Sequence, residues 1–150
     1  MKLVIQRVSH GSVTVGDELI SSIGSGLLVL VGVAKDDTES DVEWLARKTA
    51  GLRIFDDSEG VMNLSVTEAD GEILAVSQFT LLASTRKGNR PSYVAAAGHE
   101  LAVPLYELYC HRLQELTGKE VRRGRFGADM KVELLNNGPV TIVIDSKARE

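Results

Sequence analysis

Apolar residues fall into short runs separated by turn dipeptides, a strand rhythm interrupted by two helical stretches. Residues 2–9 alternate loosely and 12–23 repeat the pattern around Gly16-Asp17, which predicts two or three short antiparallel strands joined by tight turns. Gly26 to Ala34 is continuously apolar and rich in β-branched residues, so it predicts a mid-sheet strand covered on both faces. Thr38 followed by Asp41 is a helix-start signal. Val42, Leu45, Ala46, Thr49 and Leu52 then recur at helical spacing, predicting a helix over 39–51 that ends near Gly51. Ile54-Phe55, the turn 56–60 and Val61 to Val66 read as strand, turn and strand. After Asp70-Gly71, the run from Glu72 to Leu82 predicts a second strand buried on both faces. A short helix is expected from Ser92 to Ala97. Pro104 suits the first turn of a longer helix with an apolar stripe of Leu105, Leu108, Tyr109, Leu113 and Leu116, stopped at Gly118. Met130 to Leu135 and Val140 to Asp145 read as closing strands on either side of Asn136-Asn137-Gly138-Pro139. The sum is an α/β protein of one domain, residues 1–150. Its core is a mixed, mostly antiparallel, barrel-like sheet with helices packed on one face.

Composition narrows the function classes. Hydrophobic residues make up 43% and charged residues 25%, the balance of a folded globular chain, and no apolar run approaches the roughly 20 residues that span a bilayer. Met1 to Val8 is broken by polar residues and lacks a cleavage site, so it reads as a strand rather than a signal peptide; no membrane association is expected, and a cytoplasmic location is. Cys110 stands alone, which excludes an internal disulfide, and no Cys/His set has metal-ligand spacing, so neither metal nor cofactor is expected. A formal charge of −4 argues against wholesale attraction to nucleic acid and leaves room for a local basic face.

Three stretches break the structural pattern. Ser77, Gln78 and Thr80 put polar groups inside an apolar run, where each costs about 1–3 kcal/mol unless hydrogen-bonded. They are either core polars tied to neighbouring backbone or groups that meet a ligand. Ser84 to Pro91 collects Arg86, Lys87 and Arg90 with a glycine and a proline, which is loop chemistry and reads alone as a solvated surface. Gly138-Pro139 reads as a plain turn, or as a cis bond that fixes two carbonyl groups outward. A serine or threonine nucleophile needs a base, yet His10, His99 and His111 belong to no motif and read as surface or packing residues. No nucleotide-binding glycine motif is present. Backbone donors and the substrate itself are then the better sources of rate.

Taken together, Ser77-Gln78-Phe79-Thr80-Leu81, the loop Arg86 to Pro91, Phe126-Gly127-Ala128-Asp129-Met130 and Asn136-Asn137-Gly138-Pro139-Val140-Thr141 closely resemble the D-aminoacyl-tRNA deacylase family in order and spacing. The resemblance runs from Met1 to Val8 onwards over essentially the whole chain. Leu82, Arg123 and Asn137 stand where an aromatic, threonine and aspartate are common. The resemblance implies a cytoplasmic homodimer that hydrolyses the ester between a D-amino acid and the terminal adenosine of tRNA, with glycyl-tRNA also a substrate. It implies that Ser77, Gln78, Phe79 and Thr80 line the catalytic pocket, with amides near Phe79 and Thr80 as oxyanion donors. Phe126, Gly127, Ala128 and Met130 would hold the adenine. Arg86, Lys87 and Arg90 would contact the acceptor end. Gly138 and Pro139 of the partner subunit would bond the substrate amino group and leave no room for an L side chain. Thr80 is given a positioning role, with the ribose 2′-OH assisting water. Two rivals remain: a small-molecule esterase or amidase using Thr80, and a non-catalytic dimeric binding module.

Overall fold

The computed structural model describes residues 1–150. Eight strands and two helices follow in the order β1 (Lys2–Val15), β2 (Glu18–Ile23), β3 (Gly26–Gly32), α1 (Glu39–Gly51), β4 (Phe55–Asp56), β5 (Met62–Leu64), β6 (Glu72–Ser77), α2 (His99–Thr117), β7 (Val121–Arg123) and β8 (Lys131–Asp145). The main sheet has the order β2-β1-β3-β6-β7, with β8 on the other edge of β1. β3 and β6 pair in parallel, as do β6 and β7, and the remaining ladders are antiparallel. β1 holds this together. One edge takes β3 along Lys2–Val8 and β2 along Gly11–Val15, while the other takes β8 along nearly its whole length. The Ser21 hydroxyl donates to the Arg123 carbonyl at 2.7 Å, drawing β2 towards β7 so that the sheet nearly closes into a barrel.

Both central strands are covered on both faces, as their unbroken apolar sequences require. Leu27, Val29 and Val31 of β3 and Ile73 and Ala75 of β6 join the helix-side core with Val42, Leu45, Leu105, Tyr109 and Leu113. Leu28, Leu74 and Val76 face the opposite side with Val8, Val13 and Ile23. The two helices meet through Tyr109, whose hydroxyl lies 2.8 Å from that of Thr49 while Thr49 also donates to the Leu45 carbonyl. The α1 start is as expected: the Asp41 carboxylate accepts from the Thr38 amide at 2.9 Å. Gly118, in the left-handed conformation, ends α2.

Four local expectations are corrected. The strand predicted over Glu72–Leu82 stops at Ser77, and Phe79–Leu82 forms a 3₁₀ turn. Gly32 permits this bend, because a Cβ there would lie 2.7 Å from Leu82 and 2.9 Å from Leu81. No helix forms over 92–97. The backbone there bridges the segment that follows β3, with Ala97 donating to Val33 at 2.9 Å and Lys35 to Ala95 at 3.0 Å, and these tertiary bonds override local helix propensity. α2 begins at His99, five residues before Pro104, so the exposed proline sits beyond the first turn.

The last correction concerns β8. Gly138-Pro139 does not reverse the chain between two strands, since both flanks pair with β1 and form one strand. Val8 faces Asn136 and Gln6 faces Thr141, so a two-residue step on β1 is matched by five on β8, and the excess bulges out. Asn136 closes its neck, accepting from the Val140 amide at 3.2 Å and donating to the Thr141 hydroxyl at 3.1 Å. Arg7 braces it from behind. Its Nε donates to the Asn137 carbonyl at 3.0 Å, and Nη1 donates to the Ile54 carbonyl at 2.7 Å with Asp56 at 3.4 Å. Gly138 has φ 134°, and a Cβ there would meet Arg7 and Val140, which restricts the position to glycine. The Gly138-Pro139 peptide bond is cis.

Replacing Arg7 with alanine strips two carbonyl groups of their donor and is expected to destabilise the fold by about 1–3 kcal/mol, read by urea denaturation. The Val140 amide should also exchange faster with solvent. Arg7→Lys keeps the charge without the planar fork and should fall between the two. A pH effect follows from Asp41. Burial raises the tendency of its carboxyl to stay protonated, but hydrogen bonds from Ser146 and the Thr38 amide, together with Lys147 at 3.0 Å, outweigh this and hold it well below the ordinary carboxylate range. Its folded value lies below its unfolded one, so its contribution is complete at neutral pH and drains away as pH falls below about 4. Asp41→Asn should therefore be less stable than the parent at pH 7, and the gap should narrow by pH 3 in paired denaturation curves.

Candidate functional site

The parallel strands end together, and a cleft of about 500 Å³ opens at their carboxyl ends. Val31 and Val33 come from the end of β3, Val76 and Ser77 from the end of β6, and Phe126 to Met130 from the turn after β7. This is where side-chain coverage of a parallel sheet runs out, so polar groups can enter without being buried in the core. Gln78 and Phe79 complete that wall. Gln78 leaves the ladder by donating its amide to the Val31 carbonyl at 2.8 Å, and the first bond of the 3₁₀ turn runs from the Leu81 amide to the Gln78 carbonyl. The amides of Phe79 and Thr80 precede that bond and have no acceptor within the turn.

Ser77, Gln78, Phe79, Phe126, Gly127, Ala128 and Met130 are therefore brought together around one cleft. Thr80 stands just behind its wall, half-buried, with its hydroxyl bonded to the Gln78 side-chain amide. No histidine or carboxylate bonds to that hydroxyl. Phe79 is 58% exposed and packs edge-on against Tyr93, with ring centroids 5.0 Å apart. Arg86, Lys87 and Arg90 lie apart from the cleft in an exposed loop whose base is tied by reciprocal Ser84 and Ser92 backbone bonds. None of the three forms a salt bridge. Gly138 and Pro139 are exposed on the β8 bulge and do not line the cleft of their own chain.

Several cleft residues escaped the sequence reading. His99, the first residue of α2, stands perpendicular to Phe126 with centroids 5.2 Å apart, and Tyr106 one turn further on tilts against the same ring at 5.8 Å. The Tyr106 hydroxyl donates to the Ala75 carbonyl at 2.8 Å, and burial pushes its pKa far above the usual phenol range, so the ring is a fixed neutral wall. A histidine with no motif around it gave no signal, and Tyr106 blended into the apolar face of a helix. Burial drives the Cys110 thiol up to about 11, so it is un-ionised and unsuited to nucleophilic chemistry. No group of three or more His, Cys, Asp or Glu side chains is placed to hold a metal ion.

Comparison with known proteins adds the remaining constraint. The family described as D-Tyr-tRNA(Tyr) deacylase matches residues 4–145. Proteins named D-aminoacyl-tRNA deacylase from Bacteroides thetaiotaomicron and Porphyromonas gingivalis are each 59% identical over 150 residues, covering all of both chains, and one from Flavobacterium psychrophilum is 55% identical over the same span. A solved structure titled c-Myc DNA Unwinding Element Binding Protein superposes with TM-score 0.92 at 42% identity, over 99% of this chain and 100% of that one. A second, titled as a probable eukaryotic D-amino acid tRNA deacylase, has TM-score 0.82 at 18% identity over 95% of this chain and 97% of its own, and shares the fold. By the extent of the profile match and by full-length identity, the chain belongs to the D-aminoacyl-tRNA deacylase family.

Proposed function

We propose that this chain hydrolyses the ester joining a D-amino acid to the 3′-terminal adenosine of tRNA and spares the L enantiomer. The observation that carries the reading is the pair of amides at Phe79 and Thr80 that open the 3₁₀ turn with no acceptor inside it, beside an aromatic-walled cleft. Amides so placed suit the developing oxyanion of ester hydrolysis, where fixed donors stabilise the transition state without reorganising. Phe126, braced by His99 and Tyr106, offers a rigid face for the terminal adenine. Thr80 positions rather than attacks, since its hydroxyl is held by Gln78 and lacks a base, and the ribose 2′-OH helps to activate the water.

The handedness rule comes from a second copy. The Gly138-Pro139 bulge is exposed and absent from its own chain's cleft. β8 pairs only with β1, leaving its outer edge unpaired and carrying Leu135 and Val143, which are 53% and 70% exposed. Such an edge favours pairing with another chain. A homodimer formed near it brings each bulge to the neighbour's cleft, where backbone carbonyls bond the substrate amino group and leave no space for an L side chain. A D side chain then faces solvent, so specificity for its chemistry is broad, and glycine is not rejected.

Matched D- and L-tyrosyl-tRNA should be cleaved with a strong preference for D, followed by loss of the ester; equal rates would overturn the reading. Hydrolysis of small esters without tRNA would instead favour a small-molecule esterase. Thr80→Ala should slow turnover by far less than the roughly 10⁶-fold loss seen when a true nucleophile is removed. A terminal 2′-deoxyadenosine should slow it strongly, and a trapped ester on Thr80 would refute the positioning role. Mixing a Thr80 variant with a Pro139 variant, each first shown to be inactive or L-permissive, should restore D-selective cleavage once subunit exchange is verified. No recovery would mean that each chain uses its own bulge.

A further inference from the structure

Many cations on this acidic chain are tied to carboxylates, as Arg112 is to Glu43 and Glu115, Lys119 to Asp70 and Lys147 to Asp41. Those without a carboxylate partner gather chiefly in two places. One is the loop of Arg86, Lys87 and Arg90. The other surrounds Trp44 on the far half of α1, where a cleft of about 420 Å³ is lined by Trp44, Arg47, Lys48, Gly51, Leu52 and Arg53. Residues 44, 47, 48 and 51 share one helix face by their spacing. Trp44 is half-buried against the core, and the Arg149 guanidinium lies over its ring at 4.3 Å, with the Lys48 ammonium at 5.5 Å. Arg53 is steered by Asn63, whose carbonyl accepts from its Nε at 2.8 Å. Of the acidic residues on the same helix, Asp41 is held by Lys147, Glu43 by Arg112, and Glu39 lies in the first turn at the opposite end. Two cation–π contacts order Lys48 and Arg149, neither of which has a carboxylate partner, while Arg53 lies within coulombic reach of Glu68.

The position of this surface gives it a partner. Arg53 is followed by Ile54, whose carbonyl accepts from Arg7, and Arg7 in turn holds the Asn137 carbonyl at the root of the Gly138-Pro139 bulge. We infer that the Trp44 cation surface is a second phosphate-binding site, which takes the tRNA backbone beyond the terminal adenosine bound in the neighbouring subunit's cleft. The inference rests on the tRNA reading above and on the bulge meeting that cleft. Four exposed cations around the Trp44 cleft fit a phosphodiester chain, whose charges are regularly spaced.

The test uses the full-length double variant Arg47→Glu with Lys48→Glu, checked for fold by circular dichroism and for dimer by size exclusion. Deacylated tRNA(Tyr) is the probe for direct binding, titrated by fluorescence anisotropy across a salt series. The variant should bind about 10-fold or more weakly, and the slope of log affinity against log salt should fall by about two, one for each phosphate contact removed. D-tyrosyl-tRNA should show a raised KM with kcat little changed, whereas D-tyrosyl-adenosine, which lacks the tRNA body, should be cleaved as by the parent. Equal tRNA affinity and salt slope in a folded variant would overturn the site, as would a parent that does not bind tRNA. A parent that binds tRNA in this salt-dependent way but cleaves no D-aminoacyl ester would sink the proposed hydrolysis and leave the phosphate surface standing.

Discussion

The parallel pairing of β3 with β6, sealed on both faces, is the constraint from which the rest follows. Two strands without a solvent face cannot carry polar chemistry along their length, because every unpaired polar atom there would be stranded in apolar packing. Chemistry is thereby pushed to where the strands stop. They stop at the same end, so Val31, Val76 and the turn after β7 converge on one cleft. The abrupt change from Ala75 and Val76 to Ser77 and Gln78 marks that limit in the chain itself.

β1 plays the complementary part. By using both edges, it lets β2 and β3 share one side while β8 runs along the other, and it places the Asn136–Thr141 bulge away from the cleft of its own chain. The cleft and the bulge thus lie apart within one chain. Under the proposed function, a second copy would bring the bulge to a cleft that its own chain does not let it line.

Much of this is written locally in the chain. Continuous apolar runs marked β3 and most of β6, the Thr38 and Asp41 pair marked α1, and Gly118 marked the end of α2, because each is a local signal whose physics does not depend on distant residues. The failures share the opposite property. Phe79 to Leu82 is a β-favouring sequence bent by close packing against Gly32, and 92–97 lost its helix to backbone bonds with Val33 and Lys35. Asn136 to Pro139 has turn composition, yet both of its flanks find the same partner strand. In the cleft, the Ser77 to Phe79 and Phe126 to Met130 segments could be read from the chain, whereas His99 and Tyr106 acquire their places only through contacts across long separations.

Arg7 carries a consequence for how the molecule matures. Its three partners lie 47, 49 and 130 residues away, so the brace behind the bulge closes only when segments near both ends of the chain and one from its middle have docked. Contacts of such long separation form late, since the loops they close must be ordered before the contact returns any free energy. Core packing of β3 and β6 does not require this bracket. Under the proposed function, competence to discriminate between enantiomers would then depend on closure of this bracket and not on burial of the core alone.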